Sequence, residues 1–330
     1  MTATRQLSRF LPVALALALA GCSFLSGDRQ AEQKAATADQ ARQHADNEQK
    51  ALENQAAAAR MKIAGDLCEN ERRILQYSHR FLRHEPLPMP PAGLTMAHAR
   101  CAADGFVKGL IPSAGRIVGY KSQQMPATAG NQDDPVTVEG ALLEKMVLPN
   151  GVAVYTSRFA THPRVQAGIM AVVRSPAIHD AQTPRELLAN LSFLHPFIEL
   201  PDLAYEKPDQ VDAVAATLAN ANARFGVLGE PIPVRVDQLM VEQLGNMTVR
   251  LKDQNGKELE AIPGSALDGN PLNAMLALIH NLEKKGVKLR PGNIIAVAPF
   301  GGQYKPEAKH TYRLTFEGLE GNPSATVHFQ

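Results

Sequence analysis

The sequence contains no tryptophan, and only 5% of its 330 residues are aromatic. Its formal net charge is +1, because 34 Lys and Arg residues nearly balance 33 Asp and Glu residues. Binding of nucleic-acid phosphates needs a field of positive charge, and binding of single strands needs aromatic surfaces on which the bases stack. We therefore expect no nucleic-acid partner for this chain.

Cysteine is also scarce, with three residues in the whole chain. Cys68 and Cys101 lie in two segments with helical patterns, and in an oxidising compartment such a pair can form a disulfide. Two buried thiols on packed helices fit the same pattern, since the sequence does not fix the distance between them. The histidines are scattered without metal-ligand spacing, and the sequence has no Gly-x-Ser-x-Gly motif.

The amino terminus has the features of a bacterial lipoprotein signal in the right order. Arg5 and Arg9 supply positive charge, and an apolar run follows over residues 10–20, too short to span a bilayer. It ends in Leu-Ala-Gly-Cys at Cys22, which resembles the lipobox, where cleavage precedes an acylated cysteine. We predict a signal peptide over residues 1–21 and lipidation of Cys22. An uncleaved anchor or an ordinary secretory signal is the alternative.

The residue after this cysteine is Ser23, whereas an Asp there would resemble an inner-membrane retention signal. Several acyl chains on one cysteine give stable membrane anchoring. The sequence thus predicts that acylated Cys22 anchors the protein to the bacterial outer membrane and that the body lies in the periplasm.

Residues 27–64 form a tract rich in Ala, Gln and charged residues and without proline. Its apolar residues recur at helical spacing, but most are alanines that would bury little area in a coiled coil. We predict that residues 22–64 are a helical spacer and that residues 65–330 form the folded body. A weakly associating coiled-coil helix is the alternative for the spacer.

The body alternates short strand-like runs with a few amphipathic helices, which predicts a mixed α/β fold. Thr183 before Pro184, with Glu186 three residues after the threonine, predicts a capped helix start. Residues 271–285, closed by Gly286, have the strongest amphipathic pattern in the body.

Three other segments have patterns typical of a single element. Residues 214–225 are expected to form a helix, and residues 234–239 are expected to form a strand. A short strand is expected to end at Lys121, and the polar residues 122–134 are expected to form a loop after it.

Two apolar runs, residues 164–173 and 195–202, are typical of buried strands. Side chains two residues apart on a strand point to the same face. Gln166 and Gly168 should therefore face whatever Glu199 faces.

A series of short motifs along the body resembles one enzyme family. The motifs lie at residues 94–99, 115–121, 163–165, 197–202, 223–229, 269–274 and 289–295. In this order, between Leu94 and Phe329, they resemble the fumarylacetoacetate hydrolase superfamily and, within it, the branch of 2-oxopent-4-enoate hydratases and 4-oxalocrotonate decarboxylases. The resemblance implies a mainly β core of the fumarylacetoacetate hydrolase C-terminal-domain type with flanking helices. It also implies a homo-oligomer.

In that family, a Glu-x-Glu pair and a third Glu hold magnesium or manganese, and the metal stabilises the enolate formed from a 2-oxo acid. The resemblance assigns Gln166 and Gly168 to the pair and Glu199 to the third position. One carboxylate and one amide would hold magnesium poorly, because such ions prefer several oxygen ligands that neutralise their charge. We therefore predict a degenerate metal site and no cofactor. Magnesium or manganese would bind only if the site were rebuilt around Glu199.

The resemblance also assigns Lys121 to the position of the family's active-site lysine. We predict that Lys121 and Arg164 are the partners of a small carboxylate ligand, with a structural or surface lysine as the alternative for Lys121. Glu199 is expected to be a structural carboxylate held by helix or backbone N–H groups. Where the family has a Thr-Gly-Ser-like turn, residues 296–300 are apolar.

Two functions follow from these predictions. The first is a lipid-anchored, non-catalytic body that binds a small carboxylate or acts as a scaffold. The alternative is an active hydratase, decarboxylase or hydrolase acting on a 2-oxo acid, with Lys121 as acid and base and a divalent metal at Glu199. Metal content distinguishes the two.

Overall fold

The computed structural model describes most of the chain: residues 42–59, 67, 70–129 and 131–330, with the side chains of residues 131–134 excepted. The predicted signal peptide, Cys22, Cys68 and the boundary between residues 64 and 65 lie outside these residues. The chain divides into two units, Met1–Arg60 and Met61–Gln330.

In the first unit, residues 42–59 form helix α1, as the sequence predicts, and all of its side chains are exposed. A helix without a buried face depends on local propensity rather than on packing for its order. Among the described residues, none of the helices combines the length and the apolar character that crossing a membrane would need.

The described residues of the second unit form six α-helices and two β-sheets. The helices are α2 (Glu71–Leu82), α3 (Met96–Ala114), α4 (Pro184–Ala189), α5 (Ala213–Leu218), α6 (Gln238–Asn246) and α7 (Pro271–Lys284). The strands are β1 (Ile117–Thr128), β2 (Asn131–Leu143), β3 (Val147–Pro149), β4 (Val152–Val154), β5 (Gln166–Val173), β6 (Leu191–Leu200), β7 (Phe225–Leu228), β8 (Ile232–Pro233), β9 (Thr248–Asp253), β10 (Glu258–Pro263), β11 (Ile294–Val297), β12 (Thr311–Glu317) and β13 (Ser324–Phe329).

The larger sheet has the strand order β2-β1-β11-β5-β6-β7-β3, with β8 paired to β6, and the smaller has the order β10-β9-β12-β13-β4. In the larger sheet, β11 lies between β1 and β5, parallel to β1 and antiparallel to β5. Side chains that are paired across neighbouring strands lie on one face. Lys121, Ala296 and Met170 consequently form one row across the sheet.

Two apolar cores hold the second unit together. The larger core draws side chains from both sheets and from α4, α6 and α7. The second core packs α2, α3 and α5 against β1 and β2. Strands β5 and β6 are buried along almost their whole length, which explains their near-continuous apolar sequences.

The loop expected over residues 122–134 is wrong, because this segment forms a hairpin. Strand β1 continues to Thr128 and pairs with β2, which begins at Asn131. Ser122 and Gln123 are buried polar residues of the sheet and not solvent-facing loop residues. Lys121 therefore lies inside a long strand rather than at the end of a short one.

Two other predicted elements also differ in the structure. The helix expected over residues 214–225 stops at Leu218, and a left-handed turn follows at Asn220–Asn222. The strand expected over residues 234–239 is wrong, because the carboxylate of Asp237 accepts a bond from the N–H of Met240 and caps α6.

The predicted helix ends are confirmed at α4 and α7. The hydroxyl of Thr183 accepts from the N–H of Glu186, and the Glu186 carboxylate accepts from the N–H of Thr183, which completes a capping box. Helix α7 ends at Lys284, and Gly286 follows with a φ of 75°.

Cys101, on the exposed side of α3, is disulfide-bonded. Its partner lies outside the described residues. The pairing of Cys101 with Cys68 stays a prediction.

Candidate functional site

The register of β5 against β6 places Gln166 directly opposite Glu199. The Gln166 amide donates to Glu199 Oε2 over 2.6 Å, and both side chains are buried. The predicted shared face of Gln166 and Glu199 is therefore present. The carboxylate lies in an apolar interior, where a charge without a partner is costly.

Lys121 supplies the charge that balances this carboxylate. Its side chain is 1% exposed, and its ammonium group forms an ion pair with Glu199 Oε1. The same group donates to Gln123 Oε1 over 2.8 Å and to the Ala221 carbonyl over 3.0 Å. An ammonium group has three N–H bonds, so these three oxygen atoms use all of them.

Burial determines the direction of the pKa shift at Lys121. Removal from water disfavours the charged amine and lowers the pKa of Lys121, whereas the charge and hydrogen bond of Glu199 oppose that shift. The two groups are therefore coupled, since each charge is tolerated in the interior because the other is present.

The Ala221 carbonyl belongs to a turn within the segment that was predicted to be helical. Asn220, Ala221 and Asn222 all have left-handed backbone conformations, with φ of 56°, 51° and 56°. The Asn220 side chain accepts from the N–H of Ala141 over 2.6 Å and donates to its carbonyl over 2.8 Å. Asparagine tolerates left-handed backbone better than most residues, so the Asn-x-Asn pattern was the available signal.

Gly168, the second position of the expected ligand pair, has no room for a side chain in the observed packing. A Cβ atom there would lie 2.9 Å from the Cβ of Ala298, 3.0 Å from the carbonyl of Val297 and 3.3 Å from Phe197. The space in front of Gly168 is thus occupied by apolar atoms and by one backbone oxygen.

An apolar wall surrounds the ion pair on the same face of the sheet. Met170, Phe197 and Ala296 belong to a small buried cluster. The Phe197 ring lies over Gly226, whose added Cβ would come within 1.9 Å of the ring. The apolar residues after β11 therefore help to close the site instead of offering hydroxyl groups to a ligand.

The donor set does not fit a divalent metal. Glu199 is the one carboxylate in the site described above, and Lys121 already neutralises it. Across the part of the chain that the structure describes, no cluster of three or more His, Cys, Asp or Glu residues could hold a metal ion. Magnesium needs six oxygen ligands at close range with matching negative charge, which an ammonium group at the same carboxylate opposes.

Arg164, the other predicted site residue, forms a hydrogen bond of its own. Its guanidinium donates to the Pro163 carbonyl over 3.0 Å, and none of the hydrogen bonds or ion pairs of the described residues joins it to Lys121 or Glu199. The expectation that backbone N–H groups hold Glu199 is wrong, because Lys121 and Gln166 hold it.

Asp202 has the role that was expected for Glu199. Its buried carboxylate accepts from the N–H of Thr161 over 2.9 Å and from the N–H of His162 over 2.8 Å. A carboxylate with such backbone donors is a structural element that fixes the chain before β5.

A cleft of about 520 Å³ opens elsewhere on the body. Residues of α3, β1, β2 and the end of α7 line it, among them Tyr120 on β1 and Glu139 on β2, but neither Lys121 nor Glu199 does. The Glu139 carboxylate is bound by Lys285 over 2.5 Å and by Asn281 over 2.9 Å.

Comparison with known proteins gives relatives that include decarboxylases and hydratases. No protein-family model matches the sequence. The chain is 26% identical over 158 residues to a 4-oxalocrotonate decarboxylase of Pseudomonas sp. strain CF600, covering 48% of this chain and 57% of that protein. It is 28% identical over 214 residues to a 2-keto-4-pentenoate hydratase of Burkholderia vietnamiensis, covering 64% of this chain and 77% of the hydratase.

The fold matches that of a solved enzyme. A 4-oxalocrotonate decarboxylase from Pseudomonas putida G7, complexed with magnesium and adipate, superposes with a TM-score of 0.66 at 19% identity. The match covers 79% of this chain and 98% of the decarboxylase. These likenesses confirm the predicted mixed α/β, mainly β fold, and they support the resemblance to the hydratase and decarboxylase branch of the fumarylacetoacetate hydrolase superfamily.

Proposed function

We propose that this protein is an envelope lipoprotein whose hydratase-like body has lost metal-dependent catalysis and acts as a binding or scaffolding module. One observation carries the proposal: the carboxylate expected to bind metal is paired with the chain's own lysine. The closed packing in front of Gly168 supports it as well, because a second carboxylate has no space there. The site therefore lacks the charge with which a 2-oxo acid and a divalent ion are held together.

A small carboxylate remains the proposed ligand, as the resemblance implies. The solved decarboxylase from Pseudomonas putida G7 has been complexed with adipate and, in a second structure, with acetate. In this chain all three N–H bonds of Lys121 are used. A carboxylate that bound at Lys121 would have to displace Glu199 or Gln123, so scaffolding is favoured over ligand binding at this residue.

The direct test is calorimetric titration of magnesium and manganese into the full-length protein, with and without pyruvate. The Pseudomonas putida decarboxylase, treated in the same way, is the positive control. We expect no heat of metal binding from this chain at concentrations that saturate the control. Micromolar metal binding that tightens with pyruvate would overturn the proposal.

The alternative is an enzyme that still converts a 2-oxo acid, and the likeness to decarboxylases and hydratases favours it. In this function Lys121 would transfer a proton, and its lowered pKa would help it to act as a base. Turnover of 4-oxalocrotonate or 2-keto-4-pentenoate that disappears in Lys121→Met would establish the enzyme. Absence of turnover in both proteins supports the non-catalytic function.

Membrane anchoring through Cys22 is a separate part of the proposal, and it has its own test. The wild-type protein should sediment with outer membranes after cell lysis, whereas Cys22→Ala should lose acylation and leave that fraction. A Cys22→Ala protein that stays in the outer membrane with unchanged mass would contradict lipid anchoring at this residue.

A further inference from the structure

Three separate parts of the chain build a shell of oxygen atoms around the Lys121 ammonium. Glu199 on β6 carries a negative charge, Gln123 on β1 supplies an amide oxygen, and Ala221 supplies a backbone carbonyl. All four residues are buried. The shell thus contains one charged and two neutral acceptors, which matches three N–H donors that carry a single positive charge.

The Ala221 carbonyl points at the ammonium because the backbone adopts a costly conformation. A left-handed alanine is disfavoured by contact between its Cβ and the following carbonyl. Asn220 anchors the turn through two hydrogen bonds to the backbone of Ala141. Gly140 lies against the turn, where an added Cβ would come within 2.3 Å of the Asn220 carbonyl. The bond to Lys121 and these contacts together maintain the turn.

Without the ammonium, each member of the shell would lose its partner. Glu199 would keep a single neutral donor, the Gln166 amide, which does not balance a buried charge. The acceptor oxygens of Gln123 and Ala221 would each lose the donor that they have in Lys121. A buried acceptor that loses its donor destabilises the folded state, because the unfolded chain satisfies it with water.

We infer that this shell is a binding site for a primary ammonium group, and that the chain fills it with its own Lys121 in place of an external cation. The inference rests on the proposed function, in which no divalent ion binds at Glu199. The site selects the ammonium by the number and direction of its acceptors as well as by charge. A neutral molecule of the same size lacks both the charge and the donors.

The experiment removes the Lys121 side chain by substitution and then adds a free amine that can take its place. Lys121→Ala deletes three carbons and the nitrogen, and n-propylammonium supplies those atoms. We expect the Tm of the full-length Lys121→Ala protein to fall by roughly 5–15 °C. Saturating n-propylammonium should raise it by roughly 3–8 °C. The Tm of the wild-type protein should not respond, because its site is already filled.

Two controls separate recognition of the ammonium from filling of a cavity. 1-Propanol has a similar size without charge, and it should leave the Tm of Lys121→Ala unchanged. The double variant Lys121→Met with Glu199→Met replaces the ion pair by apolar groups, and it should fold without responding to n-propylammonium. Equal responses to the amine and the alcohol, or no response to either, would overturn the inference.

If Lys121→Ala does not fold alone, the same comparison is made on its refolding from denaturant. A higher yield of folded protein with n-propylammonium than with 1-propanol supports the site, and equal yields overturn it. Failure of the ammonium site can be told apart from failure of the proposed function, because metal binding by the wild-type protein would reveal the latter. A wild-type chain that binds no metal, with a Lys121→Ala variant that ignores the amine, contradicts the ammonium site alone.

Discussion

The packing around Gly168 is so tight that it depends on the absence of a side chain at this position. The neighbouring Cβ of Ala298 and the ring of Phe197 take the space that a glutamate at this position would need. The two replacements at the expected ligand pair therefore have different consequences. Gln166 still contacts the carboxylate of Glu199, whereas Gly168 lets the apolar wall approach.

Restoring the expected pair by Gln166→Glu with Gly168→Glu should not restore metal binding. The new Cβ at residue 168 would be overpacked, which costs about 1–3 kcal/mol, and two added carboxylates would be buried near Glu199. We expect a lower free energy of unfolding and no manganese binding by calorimetry. Gly168→Ala separates the steric cost from the charge, and micromolar manganese binding by the double variant would show that the packing adapts.

Gly140→Ala tests the turn at residues 220–222 from the opposite side. The added methyl group would lie 2.3 Å from the Asn220 carbonyl, so the turn must move and the Ala221 carbonyl with it. We expect destabilisation of about 1–3 kcal/mol in urea denaturation. The effect should be smaller in a Lys121→Met background, because both changes act on one contact. Full additivity would place the two residues in independent networks.

At the scale of elements, the start of α4 offers a measurable contribution of local sequence. Thr183→Ala removes the hydroxyl that accepts from Glu186 and should lower the free energy of unfolding by about 1 kcal/mol. Thr183→Ser keeps the hydroxyl and should stay close to wild type. Denaturation with urea measures both, and equal losses in the two variants would assign the effect to the lost methyl group.

A buried arginine, Arg224, joins the end of α2 to other parts of the body by hydrogen bonds. The Arg224 guanidinium donates to the Phe159 carbonyl over 2.5 Å, to the Phe81 carbonyl over 3.3 Å and to Nε2 of His84. It also lies 4.7 Å from the centre of the Phe81 ring. His84 must be neutral to accept this bond, so protonation would place two positive charges side by side.

Stability should therefore fall as the pH falls. The pKa of His84 is lowered mainly by burial and next by the positive charge of Arg224, while the negative charge of Asp202 opposes this shift. Below the ordinary pKa of histidine, the unfolded chain binds a proton that the folded chain does not, until the pH reaches the lower folded pKa. Burial also lowers the pKa of His179 and of His195, which adds the same sign.

His84→Asn should reduce this pH dependence. Asparagine keeps an oxygen acceptor and tolerates the left-handed φ of 58° at this position. Free energies of unfolding measured between pH 8 and pH 5 should depend less on pH than those of the wild-type protein, because His84 no longer contributes a lowered pKa. A slope identical to that of the wild-type protein would mean that His84 titrates normally in the fold.

How far the elements could be predicted depends on how local their causes are. The capping box at Thr183 and the glycine that closes α7 are local, and both are confirmed. The polar residues after Lys121 favour a loop, but Ser122 and Gln123 are buried within the hairpin over residues 117–143, which depends on distant parts of the chain. The stop of α5 was missed because two asparagines favour a turn that tertiary bonds to Ala141 complete.

The residues that form the site could be predicted from the sequence, but the ion pair between Lys121 and Glu199 could not. The spacing on β5 placed Gln166 on the face of Glu199, and the resemblance marked Lys121. That Lys121 reaches Glu199 depends on β11 lying between β1 and β5, which is a long-range property of the sheet. A lysine and a glutamate 78 positions apart carry no sequence pattern that joins them.

At the scale of the whole molecule, the fold is shared with a decarboxylase that was solved in complex with magnesium, while the residues at the expected ligand positions of this chain are Gln166 and Gly168. The match covers 98% of the Pseudomonas putida decarboxylase, so nearly the whole of that architecture is present in this chain. Function therefore follows the site rather than the fold. The homo-oligomer and the outer-membrane location stay predictions at this scale.

The stability of the full-length protein should not depend on divalent ions. Because Glu199 already has its counter-charge, the Tm should be the same in EDTA, in magnesium and in manganese, as differential scanning calorimetry can measure. A ligand that binds only the folded state would raise the Tm with its concentration. A rise of more than a few degrees on adding manganese would show a metal site that the described residues do not contain.

The tether on the Lys121 ammonium has one more consequence. A free ion leaves its site whenever its concentration falls below the dissociation constant, whereas a group on the same chain has an effective concentration that the surroundings cannot dilute. The cost of fixing its position is met once, during folding, and not at each binding event. Because Lys121 is part of the chain, the site is occupied in every folded molecule, whatever the concentration of metal ions around the protein.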